Sequence, residues 1–246
     1  MPCATMPGTM PGTLYVVATP IGHLGDVTAR ALEVLRSADL IAAEDTRHTK
    51  ILLTHYGLDK PLVSLYDAVE RAKTPQLIEQ LRQGRTIALV SDAGTPGVAD
   101  PGGYLIPQAI AAGVPVVAIP GPCAAITALV VSGLPMERFV FEGYLPVKPG
   151  KRTQRLQALR GESRTIVCYE TPHRLLKSLA AIQEVLGDVP MSVARELTKR
   201  FEEVRRGRVS EHLQHFHQHP PKGEFVLVFR AEASGPASPG RSHRSA

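Results

Sequence analysis

The sequence predicts an α/β protein of two domains, the first built on a mostly parallel, doubly wound sheet and the second on a mixed sheet with flanking helices. Three observations lead to this prediction. In the first half of the chain, apolar runs typical of β-strands alternate with helical patterns, and two of those runs are apolar almost throughout. After residue 121 the alternation stops. Alternating strands and helices are typical of parallel sheets, and continuous apolar runs are typical of strands buried on both faces.

The first domain, residues 13–121, is predicted to contain five strands. They are the runs "LYVVA", "DLIAAE", "PLVSL", "TIALV" and "VPVVAIP". Segments with helical spacing lie between them, namely "DVTARALEVLRSA", "TPQLIEQLRQG" and "GGYLIPQAIAAG". Gly84 and Gly113 each close such a segment, where glycine favours the end of a helix.

The second domain, residues 122–232, is predicted to contain four strands but only two clear helices. The strands are "RFVFEGYL", "RTIVCYE", "MSVARELT" and "GEFVLVFR", and the helices are "KRTQRLQALRG" and "HRLLKSLAAIQEVLG". Because a parallel pair needs a long crossover connection, the small number of helices predicts some antiparallel pairing. We place the domain boundary near residues 120–123, where "PGP" interrupts the pattern.

Both ends of the chain, residues 1–12 and 233–246, are predicted to be disordered tails. They are rich in Pro, Gly and Ser and cannot bury apolar surface. Met6 and Met10 are alternative starts of the protein.

Composition bounds the class of protein. The length of 246 residues suits two domains of roughly 110 residues each. A formal net charge of +5 permits a nucleic-acid partner without requiring one. Cys3, Cys123 and Cys168 have no paired spacing, so neither a disulfide framework nor a metal site is indicated. No apolar run approaches the roughly 20 residues needed to cross a bilayer, and no signal peptide is apparent, so we expect a cytoplasmic protein.

The predicted ligand site lies at the carboxyl ends of the parallel strands, because ligands of open α/β sheets bind there. Four loops should meet at this edge: "ATPIGHLGD", "AEDTRHT", "SDAGTPGVADPG" and "IPGPCAA". The third loop has neither the lysine of a phosphate-binding loop nor the glycine spacing of a dinucleotide-binding loop. Asp92 and Asp100 would repel phosphate, and they suit a cationic sulfonium or a hydroxyl donor. S-adenosylmethionine fits this loop better than ATP does, although an ordinary Pro/Gly turn whose aspartates cap the next helix would also explain it.

Several long strings together resemble the ribosomal RNA small-subunit methyltransferase I (RsmI) family of the tetrapyrrole methylase superfamily. The strings are "TPIGHLGDVTARALEVLRSADLIAAEDTRHTKILL", "ALVSDAGTPGVADPG", "VVAIPGPCAAITALVVSGLP", "FEGYLP", "YETPHRLLKSL", "ARELTKRFEEVRRG" and "KGEFVLV". They follow one another in order over about residues 13 to 230.

This resemblance implies the two-domain tetrapyrrole-methylase fold, with S-adenosylmethionine held between the domains. It implies 2′-O-methylation of the ribose of a cytidine, position 1402 of 16S rRNA in the small ribosomal subunit, by a homodimer. Many relatives carry a small helical domain after the "GEFVLV" strand, where only about 16 residues follow here. We therefore expect the core alone to dock the RNA.

The resemblance also implies which residues bind the cofactor. From the loops after the first, fourth and fifth strands they are Pro20, Asp92, Gly94, Thr95, Val98, Asp100, Pro120, Cys123 and Ala124. From "GYLP", "AREL" and "KGEF" they are Tyr144, Leu145, Glu196, Leu197, Gly223 and Glu224.

The implied reaction is an in-line attack of a ribose hydroxyl on the methyl group of a sulfonium. Much of the rate can come from alignment, and a general base would help by removing the hydroxyl proton. Among the acids and the histidine that could serve, we select Asp100 and Glu44 as catalytic residues. Arg47 is selected to orient the phosphate or ribose, since a guanidinium makes bidentate contacts with such oxygens.

The segment "AEDTRHT" has a second explanation that is compatible with catalysis. It can be a helix start with Asp45 as cap and with Thr46 and Thr49 in solvent, because acids stabilise the first turn of a helix.

The predicted RNA contacts lie in two basic segments. They are Lys151, Arg152 and Arg155 in the first segment, and Lys199, Arg200, Arg205 and Arg206 in the second. Such a track could bind the RNA backbone. Since Glu202 and Glu203 interrupt the second segment, a solvated charged face explains it equally well.

The histidines of "EHLQHFHQHPP" are not predicted to bind a metal. His212, His215 and His219 share one helical face, but no carboxylate or cysteine completes a site. We expect a solvated helix end there and no metal in the protein.

Two other functions stay open from the sequence. One is methylation of a tetrapyrrole or a protein on the same scaffold, although tetrapyrrole enzymes typically begin with "GxGPGD" where this chain has "TPIGHLGD". The other is a non-catalytic RNA-binding assembly factor, which the acidic loops disfavour.

Overall fold

Residues 11–231 are described by a computed structural model, and they divide into one unit that ends at Ala124 and another that begins at Ala125. The predicted C-terminal tail, residues 233–246, lies outside the described residues, as do residues 1–10 of the predicted N-terminal tail. Gly12, which we included in that tail, is buried instead. Its amide donates to the carbonyl of Leu81 at 2.7 Å, and a side chain there would collide with the carbonyl of Arg85.

The first unit contains a five-stranded sheet in which every neighbouring pair is parallel. Its strands are β1 (Leu14–Val17), β2 (Leu40–Ala43), β3 (Leu62–Ser64), β4 (Ile87–Val90) and β5 (Val116–Ile119), in the spatial order β3-β2-β4-β1-β5. All residues of β2 and β4 are buried, as the continuous apolar sequence of β4 predicts. The equally apolar β5 was expected to be buried in the same way, but it is an edge strand in which only Ile119 is buried. The predicted parallel sheet is therefore confirmed.

Helices connect these strands and cover both faces of the sheet. They are α1 (Ala29–Ser37), α2 (Thr46–His55), α3 (Asp67–Arg82) and α4 (Leu105–Ala111). Asp45 caps α2 as expected, because its carboxylate accepts from the amide of Arg47 at 2.8 Å. Thr49 is buried, whereas we expected it in solvent.

The second unit contains a mixed five-stranded sheet. Its strands are β6 (Phe139–Tyr144), β7 (Thr165–Glu170), β8 (Pro190–Arg195), β9 (Glu203–Arg208) and β10 (Phe225–Arg230), in the order β6-β7-β10-β8-β9. β6 and β7 are parallel and the other neighbouring pairs are antiparallel. The helices are α5 (Ala124–Val130), α6 (Pro149–Ala158), α7 (Leu175–Leu186) and α8 (Val209–Gln218). The predicted mixed sheet is confirmed.

One strand of the second unit, β9, was not predicted, and one helix, α8, was expected only as a solvated helix end. β9 has the sequence "EVRRGR" and forms an edge strand beside β8, where charged side chains are tolerated and discourage pairing with other chains. α8 contains the histidines that we expected at a solvated helix end. That expectation was wrong for His212, which is buried with its Nε2 at 3.1 Å from the carbonyl of Met191.

Two absences concern the described residues. Within residues 11–231, no group of histidine, cysteine or acidic side chains is arranged to hold a metal ion. No helix in this part of the chain is long and apolar enough to cross a membrane.

Candidate active site

The carboxyl ends of β2 and β4, which are neighbours in the sheet, are joined by carboxylates. The side chain of Asp92 accepts a hydrogen bond from the amide of Asp45 at 2.9 Å. In return, Glu44 accepts from the amide of Asp92 at 3.3 Å. We call Glu44, Asp92 and Asp100 the acidic cluster. The fold has thus brought Glu44 to Asp92, which lies 48 residues later in the chain, and Asp100 belongs to the same loop as Asp92.

Asp100 is the most perturbed acid of this cluster. Burial raises its pKa from 3.8 to about 7, and the negative charges of Glu44, Asp92 and Asp67 add to the rise against a hydrogen bond from Ser91. Burial also raises the pKa of Glu44, with further contributions from neighbouring acids. A carboxyl group whose pKa lies near neutrality can both take up and release a proton at physiological pH. The pKa of Asp100 therefore suits a general base.

Arg47 lies at the start of α2 and is paired with the residue that caps the helix. Its guanidinium is 2.6 Å from the carboxylate of Asp45, and its side chain is 90% exposed. The hydrogen bond from the Arg47 side chain is the main reason that the pKa of Asp45 falls to about 2. A substrate phosphate would have to share Arg47 with Asp45, which accepts from its Nε and Nη2 groups.

The loop from Ser91 to Gly102 is fixed by the loops beside it. Thr19 and Gly94 exchange two backbone hydrogen bonds of 2.8 and 3.0 Å, and Gly94 has a φ of 82° that glycine adopts without strain. The hydroxyl of Thr95 donates to the carbonyl of Pro122 at 3.1 Å. A Cβ on Gly121 would lie 2.9 Å from the Cβ of Ala18. Three of the predicted cofactor loops are therefore in direct contact.

The predicted cofactor residues of these loops differ in exposure. Pro20 and Gly94 are buried, Pro120 is exposed, and the half-buried members are Asp92, Thr95, Val98, Asp100, Cys123 and Ala124.

Glu70 holds the end of the loop from Ser91 to Gly102, and this role was not identified from the sequence. This buried side chain of α3 accepts hydrogen bonds from the amides of Gly102, Tyr104 and Leu105 at 3.0, 3.1 and 2.9 Å. It therefore satisfies amides at the start of α4 that would otherwise be unpaired. The signal was available, because Glu70 shares the buried face of α3 with Leu77 and Leu81, where an acid is unexpected.

In the second unit, the "AREL" and "KGEF" loops meet through their carboxylates. The side chain of Glu196 accepts from the amide of Glu224 at 2.9 Å, and the amide of Glu196 donates to the carbonyl of Glu224 at 3.0 Å. Lys199 bridges both acids at 3.0 and 2.8 Å. Burial alone would raise the pKa of Glu196, but the hydrogen bonds from Glu224 and Lys199 hold it below its ordinary value. Gly223 fits here because a Cβ would lie 2.5 Å from the Glu196 carboxyl carbon.

The remaining predicted cofactor residues lie at or near the ends of strands in the same unit. Tyr144, at the end of β6, is 48% exposed and its ring lies edge-on to Tyr169 at 5.8 Å. Leu145 and Leu197 are buried. The hydroxyl of Tyr169, which we did not single out, accepts from the amide of Ala125 at 3.2 Å.

The predicted RNA-binding residues are mostly engaged within the protein. Arg152 contradicts the prediction, because its side chain is buried and donates to the carbonyl of Val147. Arg155 forms two hydrogen bonds of 2.7 Å with Glu142.

In the second basic segment, Lys199 contacts the two acids described above, Arg205 contacts Glu203 at 3.2 Å, and Arg206 donates to the carbonyl of Val131. Lys151 and Arg200 are exposed, and neither forms an ion pair within residues 11–231.

Comparison with known proteins places this chain in a family. Residues 13–212 match the family model of the tetrapyrrole (corrin/porphyrin) methylases. The chain is 51% identical over 218 residues to the ribosomal RNA small subunit methyltransferase I of Synechocystis sp., covering 88% of this chain and 78% of that protein. It is 51% identical over 220 residues to the protein of the same name from Escherichia coli O157:H7, covering 88% and 77%.

Solved structures agree with this assignment. The uroporphyrin-III-C-methyltransferase of Thermus thermophilus is 26% identical, with a TM-score of 0.63 over 89% of this chain and 95% of that one. A diphthine synthase is 18% identical, with a TM-score of 0.70 over 89% and 90% of the two chains, and shows the likeness of fold alone.

The predicted family, fold class and methyltransferase class are therefore confirmed. This chain belongs to the tetrapyrrole methylase family and, within it, to the ribosomal RNA small subunit methyltransferase I family.

Proposed function

We propose that this methyltransferase transfers the methyl group of S-adenosylmethionine to the ribose 2′-hydroxyl of a cytidine, position 1402 of 16S rRNA in the small ribosomal subunit. The observation that carries the proposal is the acidic cluster at the carboxyl ends of β2 and β4, in a chain of this family. The names of its relatives, at about half identity, support ribosomal RNA as the substrate.

The residues present suit S-adenosylmethionine. Within residues 11–231, neither Glu44, Asp92 nor Asp100 forms an ion pair with a basic side chain. These carboxylates favour a cationic ligand and can accept from ribose hydroxyls. Gly121 leaves a space beside Ala18 that a Cβ would fill, and Gly94 turns the backbone without a side chain.

The cofactor residues are proposed as three groups. The first comprises Pro20, Asp92, Gly94, Thr95, Val98 and Asp100, the second Pro120, Cys123 and Ala124, and the third Tyr144, Leu145, Glu196, Leu197, Gly223 and Glu224. When bound, the donor supplies a methyl group on a sulfonium, which is electrophilic without further activation.

Asp100 is the proposed general base of the reaction. Its carboxylate would take the proton of the ribose hydroxyl as that oxygen attacks. A bound donor would supply the methyl group and leave as a neutral thioether, with the electrons of the broken carbon–sulfur bond on sulfur. Glu44 raises the pKa of Asp100 and so strengthens it as a base. Arg47, at the exposed start of α2, orients a phosphate of the substrate while it also holds Asp45. The fixed loops supply alignment, which accounts for much of the acceleration.

The protein is further proposed to act as a cytoplasmic homodimer on ribosomal RNA. Ile126 and Val130 on α5 are 44% and 54% exposed. A second copy of the chain would cover these apolar side chains, which supports the dimer that the family resemblance implies.

The test is methyl transfer from radiolabelled S-adenosylmethionine to small ribosomal subunits, naked 16S rRNA and a tetrapyrrole, each assayed separately. We expect label on the ribose of one cytidine, mapped by primer extension. Label on the tetrapyrrole would overturn the RNA substrate, and an absence of donor binding by calorimetry would indicate a non-catalytic protein. Asp100→Asn should transfer less label, and Asp59→Asn is its matched control, since this exposed acid precedes β3 at the opposite end of the sheet from the acidic cluster.

A further inference from the structure

The connection between β8 and β9, residues 196–202, has a defined conformation. We call it the hairpin tip. The amide of Lys199 donates to the carbonyl of Glu196 at 3.0 Å, and the amide of Glu202 donates to the carbonyl of Lys199 at 3.1 Å. The amide of Thr198 donates to the carboxylate of Glu202. The hairpin tip is thus held by its own polar groups and by the Lys199 contacts described above.

Two residues of the hairpin tip adopt backbone conformations that cost energy. Glu196 and Thr198 have φ values of 51° and 65°, in the left-handed region that residues with side chains rarely adopt. Strain of this kind persists only where the surroundings enforce it, and it is concentrated at functional sites.

The hairpin tip carries two apolar side chains with opposite environments. Leu197 is buried and anchors the tip, whereas Phe201 is 62% exposed. The guanidinium carbon of Arg200 lies 5.5 Å from the centroid of the Phe201 ring. Since Leu197 already supplies the packing, the phenyl ring contributes little to the core, and its exposure leaves aromatic surface available to a ligand.

Charge around the ring decides which ligand fits. The carboxylates nearest in sequence are engaged, because Glu202 accepts from Thr198 and Glu203 contacts Arg195 and Arg205. Arg200 forms no ion pair with any residue of 11–231. A flat apolar ring beside an available cation suits a nucleobase followed by its phosphate, because unpaired bases stack on aromatic and guanidinium planes.

We propose that Phe201 and Arg200 at the hairpin tip bind an unpaired base of the RNA substrate and its adjacent phosphate, and so position the substrate strand. The inference rests on the proposed function in taking RNA as the substrate. It differs from the predicted backbone contacts of this segment, because it assigns binding to an aromatic ring.

Phe201→Trp provides a direct probe, since the chain contains no tryptophan. The full-length variant then carries one indole, at the hairpin tip. We expect its fluorescence to be quenched by a short single-stranded RNA and not by the same RNA annealed to its complement, since a paired base cannot stack on the ring. Binding of labelled RNA without any quenching would overturn the proposal.

Phe201→Ala and Phe201→Leu separate base stacking from simple apolar contact. We expect both variants to bind single-stranded RNA roughly 5- to 150-fold more weakly than the wild type, the range for one stacked base, whereas Phe201→Trp retains binding. Met136→Ala, an exposed apolar side chain elsewhere in the second unit, should not change RNA binding. Equal RNA affinity of Phe201→Ala and wild type would contradict the proposal, as would a loss of dimerisation without a loss of RNA binding.

Methyl transfer to small subunits distinguishes this inference from the proposed function. Phe201→Ala should raise KM for the subunit and leave the affinity for S-adenosylmethionine unchanged. If the wild type methylates rRNA and Phe201→Ala has the same KM, base stacking on Phe201 is contradicted and the proposed function is not. If the wild type transfers no label to rRNA, the proposed function is contradicted. Quenching of the Phe201→Trp fluorescence by RNA would still support base stacking at the hairpin tip.

Discussion

The acidic cluster of the first unit and the basic segment that contains Arg200, Arg205 and Arg206 in the second unit both concentrate charge, but they differ in whether the protein itself supplies partners of opposite charge. Glu44, Asp92 and Asp100 accept from amides or a hydroxyl, and the pKa values of Glu44 and Asp100 rise. In the basic segment, Arg205 and Arg206 are instead occupied by a carboxylate and a carbonyl of the protein.

The difference shows that the number of charges in a stretch of sequence does not measure the charge available to a ligand. Acids that lack cationic partners stay electrostatically unsatisfied, so they retain affinity for a cation or a proton. Arginines that already hold protein oxygens must give them up before they bind a phosphate. Arg200 is the member of the basic segment that this cost affects least, because its described contact is with a ring.

The largest expected effect comes from Asp100→Asn. Removal of the general base should lower kcat for methyl transfer by about 100-fold or more, with little change in RNA affinity. In the wild type, kcat should rise with pH and level off above about 7, since Asp100 must be ionised to accept the proton. The variant should lose this dependence. A variant with wild-type kcat and the same pH profile would remove Asp100 from the mechanism.

Asp100 should also make stability depend on pH. Because its folded pKa of about 7 exceeds the ordinary 3.8, the folded state holds the proton more tightly than the unfolded state. Stability from this group is therefore highest below about pH 4 and decreases as pH rises towards 7. Asp100→Asn should be more resistant to urea than wild type at pH 8, and the difference should shrink at pH 5.

Glu70→Ala tests a buried acid of the first unit that, unlike the acidic cluster, stabilises the fold through its hydrogen bonds. Since Glu70 accepts from three amides, its removal should lower the free energy of unfolding by about 2–4 kcal/mol. Glu70→Gln keeps an acceptor oxygen and should cost less. Glu79→Ala, on the exposed face of the same helix, should change stability by less than about 0.5 kcal/mol. Chemical denaturation measures the stability of all three variants. If Glu70→Ala is as stable as wild type, the hydrogen bonds between Glu70 and the start of α4 contribute nothing to stability.

Gly223→Ala tests whether the contacts of Glu196 with Lys199 and Glu224 in the second unit contribute to stability. The new Cβ would collide with Glu196, and the residue would keep a φ of 86°, so we expect a loss of about 1–3 kcal/mol in thermal or chemical denaturation. Gly150→Ala in α6 is the matched control, because nothing lies near its Cβ position and alanine favours a helix. An equal effect of both substitutions would mean that the contact with Glu196 is not tight.

The smallest expected effect separates Arg200 from Arg205. Arg200→Ala should reduce the salt dependence of single-stranded RNA binding by about 0.7 in the slope of log K against log salt, the value for one phosphate contact. Arg205→Ala should change the slope by less than half as much, because Glu203 already holds its guanidinium. Fluorescence anisotropy at several salt concentrations measures both. Equal slopes for the two variants would show that the ion pair of Arg205 with Glu203 does not reduce its contribution to RNA binding.

Much of the site could be predicted because its residues directly follow buried strands. "TIALV" and "DLIAAE" show by their apolar residues where β4 and β2 end, and parallel pairing then brings Asp92 and Glu44 to one edge. Glu70 was missed because its role depends on amides more than thirty residues away. Arg152 was misassigned because its charge was taken to indicate exposure, although it lies four residues before the buried Leu156 on the same face of α6.

The sequence by itself determined the parallel and mixed sheets, the family and the loops that form the candidate site, because strand periodicity and glycine-rich turns are local properties of the chain. The tertiary structure alone decided the fate of individual charges. It placed "EVRRGR" in the edge strand β9, buried His212, raised the pKa of Asp100 and left Phe201 exposed. Burial and partners are set by residues distant in sequence, and for a charged side chain those two properties determine whether it stabilises the fold or remains available to a ligand.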